Sequence, residues 1–391
     1  MSAQLRMPLF AALALLLAAA GGADDASPRC ASTRFRIDTS FDSGAFDKCT
    51  VRRDGTFEIT IRPEDRKVVV EQPWFAFRVS VLRPGELKVQ LRIPDGYARY
   101  WPKLSSNGTD WTRAADTAVT ISAAKKTMDI ALTLDDGPVW IAAQELLPGS
   151  WYDDWLAELA NDDELSVTVI GQSVEGRPIS LLKTGNKAET VILLGRQHPA
   201  EIPGAMALRD FLATLLADTE LARQFRARFN LLIIPLLNPD GVANGHWRHN
   251  SGRTDLNRDW GQFTQPETQA VAKLLTSVDA LQMRPRLMLD FHATNLTRSL
   301  LFYTQTADEL TDPAEFDMHW FAAVRERLPG FEFEHRPGPS DENPNTKGYF
   351  FRRYGIPAFT YELGDEADRA ELHATTPVLA EEMMRALLRA D

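Results

Sequence analysis

Cysteine is scarce in this chain: of 391 residues only Cys30 and Cys49 carry a thiol. Neither has the closely spaced partners of a cysteine-rich zinc site, so a metal here must be held by other side chains. Both lie early, and an oxidising compartment would allow one disulfide between them; two free thiols are the other reading. Positive charge is also short. Lys and Arg number 43 against 54 Asp and Glu, a formal charge of −11 with no basic run, which argues against nucleic acid as a partner. Internal repeats and low-complexity tracts are missing, and so are long apolar runs, with one exception near the start. There Arg6 precedes apolar residues 7–20, followed by Gly21-Gly22-Ala23. That run is too short for a good membrane span and reads as a secretory signal peptide over residues 1–23, leaving no membrane span after cleavage and a periplasmic or secreted protein. What remains, with 44% hydrophobic and 25% charged residues, is the composition of a soluble globular protein. Its length predicts two domains.

Between about residues 32 and 142 the sequence runs in short alternating stretches broken by turn residues. Residues 56–61, 74–79, 87–91 and 128–132 read as strands, with Pro-Gly and Asp-Gly pairs between them. The spacing predicts an all-β antiparallel sandwich over residues 24–147. After Leu146-Leu147-Pro148-Gly149-Ser150 the pattern changes. Residues 151–159 read as a helix, and 167–170 and 179–184 flank a turn over 171–178. Apolar strands and helical segments then follow, which reads as an α/β domain over 148–391.

Within that second domain, Gly195-Arg196-Gln197-His198-Pro199-Ala200-Glu201 closes the run 190–194, which is β-branched and apolar as in a strand buried on both faces. Pro203 suits the first position of a helix, and 205–216 continue it. His198 and Glu201 therefore sit in a strand-to-helix turn, where a loop can aim imidazole nitrogen and carboxylate oxygen at one ion. A catalytic zinc usually has three protein ligands and one open position, so a third ligand is needed. His292, directly after the run 287–289, is the candidate, because strand ends on one edge of a parallel sheet meet in space. Alone, a His-x-x-Glu is most often a chance pair on a turn, and a lone histidine after a strand is most often structural. The neighbouring motifs shift that balance. Asn238-Pro239-Asp240-Gly241 closes the strand 231–237, and Trp247-Arg248 and Asp255-Leu256-Asn257-Arg258-Asp259-Trp260 come next. Gly355-Ile356-Pro357-Ala358-Phe359-Thr360-Tyr361-Glu362-Leu363 then places a carboxylate in an apolar strand, where burial is expensive without a task.

In order and approximate spacing this set resembles the zinc metallocarboxypeptidase family, the funnelins, over about residues 150–380. Residues 24–147 look like the N-terminal domain of its cytosolic carboxypeptidase-like subfamily, through Phe41-Asp42-Ser43-Gly44, Gln72-Pro73-Trp74-Phe75-Ala76-Phe77-Arg78-Val79 and the stretch 105–111. The resemblance implies a mixed, largely parallel sheet between helices for the α/β domain, and one zinc per chain on His198, Glu201 and His292. It implies that Asn257 and Arg258 hold the terminal carboxylate of a peptide or peptide-like substrate, that Arg248 polarises the scissile carbonyl, and that Glu362 is the general base. Each role is chemically sound. A guanidinium fork meets a carboxylate bidentately, and a glutamate in apolar surroundings has its pKa raised towards the working pH. Arg253 lies close enough to compete with Arg248 for its role. Asp290 alternates onto the face of His292 and either orients that imidazole or is simply a polar residue at a strand end. The mobile tyrosine of digestive relatives has no counterpart in residues 339–346. Lys347 falls near the family's specificity region, where it would favour an acidic terminal residue such as glutamate; a solvated loop lysine is the competing reading.

These features together imply an exported zinc-dependent exopeptidase. A cell-wall amidase cutting γ-D-glutamyl bonds to a diamino acid could use the same site. An N-acyl amino acid deacylase of the aspartoacylase type shares His-x-x-Glu and an Asn-Arg pair, but the Asn-Pro-Asp-Gly turn and the sandwich argue against it. A non-catalytic module that binds chain ends would have no need of Glu362.

Overall fold

A computed structural model describes residues 29–65, 74–162, 164–295, 300–306, 313–339 and 344–389. The expected leader, residues 1–23, lies outside them, as do Gln72 and Pro73 of one subfamily motif.

The N-terminal domain is two packed sheets. One takes the strand order Arg29–Ala31, Phe35–Asp38, Ala76–Val81, Pro138–Ala142, Lys103–Ser105 and Thr112–Arg113. The other takes the order Lys48–Val51, Phe57–Thr60, Gly85–Arg92, Thr127–Leu134 and Val119–Ile121. Period-two alternation turns Phe57, Ile59, Leu87, Val89, Leu91 and Ile130 inward, where they share one core with Ile37, Phe77, Val79 and Ile141 of the facing sheet. One strand pair departs from the antiparallel expectation: Phe57–Thr60 runs parallel to Gly85–Arg92. The chain between them visits the other sheet as Ala76–Val81 and returns, so both strands arrive in the same direction; only a direct hairpin forces the antiparallel arrangement. Cys30 and Cys49 form the disulfide, with Cα atoms 5.8 Å apart, and it joins an edge strand of each sheet.

The sandwich's last strand ends at Ala142, and α1 (Gly149–Leu159) opens the second domain. Eight strands follow: β1 (Leu165–Gln172), β2 (Pro178–Thr184), β3 (Glu189–Gly195), β4 (Phe229–Ile234), β5 (Arg284–Thr294), β6 (Leu300–Thr306), β7 (Phe333–Pro339) and β8 (Ala358–Gly364). The sheet order is β1-β2-β4-β3-β5-β8-β6-β7. Its four central strands are mutually parallel, while β2 and β6 flank them antiparallel. Helices α2 (Ile202–Leu216), α3 (Glu220–Arg228), α6 (Pro313–Arg327) and α8 (Arg369–Arg389) cover one face, and α5 (Pro266–Ala280) and α7 (Thr346–Tyr354) the other. A short helix, α4 (Pro239–Asn244), follows β4 and is capped by the Asn238 side chain, which accepts from the Gly241 N–H. In β3, Val191 and Leu193 pack towards α2 and Ile192 and Leu194 towards α5, which is why the run is apolar without alternation. The register sets Phe291 beside Gly195 and His292 beside Glu362. The three strand ends that carry the motifs thus meet at one edge.

The domains are not joined by a linker alone. Ala200, Ile202 and Ala205 at the start of α2, with Leu236 and Val242, belong to the same apolar cluster as the sandwich core. Among the described residues no helix is long and apolar enough to cross a membrane.

Candidate metal centre

The chain leaves β3 through Arg196, whose φ of +51° turns it out of the strand. Two bonds of the buried Arg196 guanidinium hold this left-handed residue, one donated to the Tyr152 hydroxyl (3.0 Å) and one to the Pro199 carbonyl (2.7 Å). Glu201 occupies the position before the first residue of α2, so its carboxylate faces back towards His198. The first turn of α2 lies directly on β5. A Cβ at Gly204 would come within 2.7 Å of the His292 carbonyl oxygen, so glycine is what lets the helix bring Glu201 to His292.

Ligand atoms of His198, Glu201 and His292 all lie within 4.8 Å of one another. The Nδ1 of His198 is 2.9 Å from Glu201 Oε1, and the Nδ1 of His292 is 2.7 Å from Glu201 Oε2. On the far side of each ring an aspartate waits: His198 Nε2 is 2.9 Å from Asp255 Oδ1, and His292 Nε2 is 2.8 Å from Asp290 Oδ2. A carboxylate on one ring nitrogen fixes the tautomer and turns the other nitrogen's lone pair outward, the arrangement of imidazoles that ligate a cation. Two imidazole nitrogens and a carboxylate oxygen are the donor set zinc takes. The residues therefore fit the metal, through Nδ1 of both histidines. Of the two readings of Asp290, the orienting one matches this geometry.

Burial by itself would raise the Glu201 pKa, but the adjacent His198 and His292 outweigh it and hold the carboxyl well below the ordinary range. Burial opposes the charged form of His292 as well, yet Asp290 and Glu201 push its pKa well above the usual histidine value. Asp255 is likewise held low against its burial by His198, Arg248 and Arg258. Glu362 goes the other way. Burial dominates and pushes it up to about 7, and its Oε2 is sealed from solvent without a hydrogen-bond partner.

Arg248 donates from Nε to Asp255 Oδ2 at 2.7 Å, which ties it to the aspartate that orients His198. Arg253, its competitor, is exposed in a turn. Asn257 is buried; its Nδ2 lies 3.4 Å from His292 Nε2, and its Oδ1 accepts from both the backbone N–H and the hydroxyl of Thr346. Arg258 is exposed beside it and donates to the Asn257 carbonyl. Lys347 follows Thr346 on the first turn of α7, half-buried. Behind the centre, Gln197 donates to Asp290 and Thr346, and the Trp260 indole donates to Gln197.

The structure also brings up residues that the motifs do not contain. From the sandwich, Arg99 forms a buried ion pair with Asp365 just past β8, with Nε to Oδ2 at 2.5 Å and both side chains under one-tenth exposed. Tyr100 accepts from the Trp247 indole, and Glu64 accepts from the backbone of residues 247–249. These are single residues on loops of another domain, and nothing in their own sequence neighbourhood singles them out.

Residues 152–370 match the family model described as zinc carboxypeptidase, and residues 37–143 match the cytosolic carboxypeptidase N-terminal domain. An uncharacterized protein of Zymomonas mobilis is 25% identical over 217 residues, 53% of this chain and 55% of that protein. Human cytosolic carboxypeptidase 4 is 31% identical over 115 residues, 29% of this chain and 10% of its own length. The chain thus matches about half the length of the first relative and a tenth of the second. Among solved structures, a metallo-carboxypeptidase from Burkholderia cenocepacia shares the fold with a TM-score of 0.76 at 23% identity, covering 91% of this chain and 98% of its own. A metallo-carboxypeptidase from Pseudomonas aeruginosa in complex with (2-guanidinoethylmercapto)succinic acid does so with a TM-score of 0.74 at 19% identity, over 90% and 97%. With the family model spanning more than half of the chain and the His-Glu-His set assembled at the strand ends, this protein belongs to the zinc carboxypeptidase family.

Proposed function

We propose that this protein is a zinc-dependent metallocarboxypeptidase that hydrolyses the C-terminal amide bond of peptides, with one zinc per chain on His198, Glu201 and His292. The observation that carries the reading is the pairing of a convergent Nδ1-carboxylate-Nδ1 set with Glu362 in register beside His292, a carboxyl whose burial brings its pKa to about 7. When bound, zinc supplies a Lewis acid that makes water more acidic and polarises a carbonyl. The chain's own residues do the rest. Arg258 and the Asn257 amide receive the terminal carboxylate and so measure the chain end. Arg248, anchored through Nε by Asp255, keeps its terminal nitrogens for the carbonyl oxygen where negative charge develops. Glu362 takes a proton from the attacking water and later returns it to the leaving amine.

Two finer readings go with this proposal. A preference for acidic C-terminal residues is supported by the position of Lys347, next to the Thr346 that holds Asn257. Export to the periplasm or beyond is supported by the charged, apolar and small-residue order of residues 1–23 and by the Cys30–Cys49 disulfide.

The test is metal analysis of the purified protein together with release of the terminal residue from a peptide panel, for wild type, Glu362→Gln and Lys347→Ala. Zinc at one per chain, release by wild type and loss of release in Glu362→Gln is the expected result. Zinc with release only from cell-wall stem peptides would move the reading to the amidase, and no zinc would move it to a binding module. Unchanged preference for C-terminal glutamate in Lys347→Ala would remove the role of that lysine.

A further inference from the structure

We infer that Glu64 of the sandwich domain is a positioning residue of the active centre, fixing the loop that presents Arg248; the inference rests on the carboxypeptidase reading for what Arg248 does. Glu64 Oε2 accepts from the Trp247 N–H at 2.9 Å, and Oε1 accepts from the N–H groups of Arg248 (2.8 Å) and His249 (2.6 Å). Three consecutive backbone donors converging on one carboxylate form an anion-binding nest, and here the anion comes from the other domain. Charge-assisted bonds of this kind are about twice as strong as neutral ones. Neighbouring contacts brace the same loop. The Trp247 indole donates to the Tyr100 hydroxyl at 3.1 Å, and Asp65 stands 3.6 Å from His249 Nδ1.

The Arg248 side chain is thereby held at both ends. Its backbone hangs from Glu64 and its Nε from Asp255, the residue that also orients His198. Without Glu64, three donors lose their shared acceptor and the loop is free to take other conformations. A displacement of about 1 Å at a group that stabilises a transition state costs on the order of 100-fold in rate. Glu64 would act only through Arg248, so its removal can do no more harm than the loss of Arg248 itself, about 100- to 1,000-fold for an oxyanion donor. The sandwich is then part of the catalytic machinery and not only a folding partner.

The experiment compares Glu64→Ala, Glu64→Gln, Arg248→Ala and the Glu64→Ala/Arg248→Ala double variant in the full zinc-loaded chain. It reads kcat and KM on a released C-terminal residue, and amide hydrogen exchange over residues 246–250. For Glu64→Ala we expect kcat to fall about tenfold or more, KM to change less than about threefold, and exchange to quicken in that loop alone. Glu64→Gln, which keeps one acceptor oxygen, should fall between Ala and wild type. In the Arg248→Ala background, loss of Glu64 should cost nothing further. An additive loss in the double variant, or faster exchange spread across the sandwich, would mark Glu64 as an ordinary structural contact and overturn the inference. If wild type releases no residue from any peptide, the carboxypeptidase reading fails instead. The exchange data still decide on Glu64: a loop that quickens alone upholds its positioning role, and one unchanged in Glu64→Ala overturns it.

Discussion

On the α/β side of the site, the side chains of consequence come from strand ends or the turns after them: His198 and Glu201 after β3, His292 in β5 and Glu362 in β8, with Asp255 and Asn257 on the loop between α4 and α5. On the sandwich side, Glu64, Arg99 and Tyr100 come from connections between strands whose own pattern describes only a β-sandwich. The first wall is assembled by the local rules of a parallel sheet, which bring strand ends together whatever lies between them in sequence. The second exists only because a separate domain docks through a shared apolar core. The α/β side supplies the His198, Glu201 and His292 group that could hold a metal, and Glu362, the proposed base. The sandwich side supplies Glu64 to the backbone of residues 247–249, Arg99 to Asp365 and the Tyr100 hydroxyl to the Trp247 indole.

Substitutions on the two walls should therefore fail differently, and the largest effect belongs to the α/β side. Glu362→Gln should keep its zinc and lose about 100- to 10,000-fold in kcat, read by steady-state hydrolysis beside metal analysis; a loss of zinc instead would make Glu362 a structural residue. The same carboxyl sets a pH dependence. Its raised pKa leaves the base form short below about pH 7, so kcat/KM should climb with pH through a limb at or below that value, since a bound cation lowers it further. A limb above pH 8 would point to another group.

For the ion pair that the sandwich makes through Arg99 with Asp365, the expected effect is on stability. Arg99→Met strands Asp365, which burial already pushes up to about 6 in spite of its arginine. Breaking one partner of such a buried pair typically costs about 3–5 kcal/mol. Thermal unfolding should show this cost, and Arg99→Met/Asp365→Leu should recover much of it; an unchanged midpoint in the single variant would mean that the pair contributes nothing to docking. Smaller is the effect of Asp255→Asn, which leaves His198 without its orienting carboxylate. Metal affinity should drop about 10- to 100-fold in a chelator competition. Smallest is Gly204→Ala, where the new methyl meets the backbone of His292; overpacking of about 1–3 kcal/mol and a weaker metal site are expected, and wild-type behaviour would show that α2 can retreat from β5 without moving Glu201.

The legibility of the site follows the same division. His292 and Glu362 could be picked out because each lies in or directly after an apolar run, where a titratable side chain is conspicuous, and His198 and Glu201 because they fill the turn after one and keep the company of the other motifs. Asp255 was visible within its motif but had no role until its Oδ1 appeared at the back of His198. Arg248 and Arg253 could not be separated by spacing alone, since five residues of loop can point either one inward; the bond to Asp255 separates them. The parallel pairing of Phe57–Thr60 with Gly85–Arg92 escaped the strand pattern for a related reason, because alternation reports which face is buried and not which neighbour a strand takes.

The order of residue types was enough to determine two domains, a sandwich before an α/β unit, and a His-Glu-His set with a buried glutamate, because periodicity, turn chemistry and strand-end motifs are all local. It was not enough for the contacts between Glu64 and the loop at 247–249, between Arg99 and Asp365, or between the far nitrogen of His198 and Asp255. Those depend on where two separately patterned surfaces come to rest against each other. That is decided by the packing of the whole apolar interface, and no short stretch of sequence encodes it.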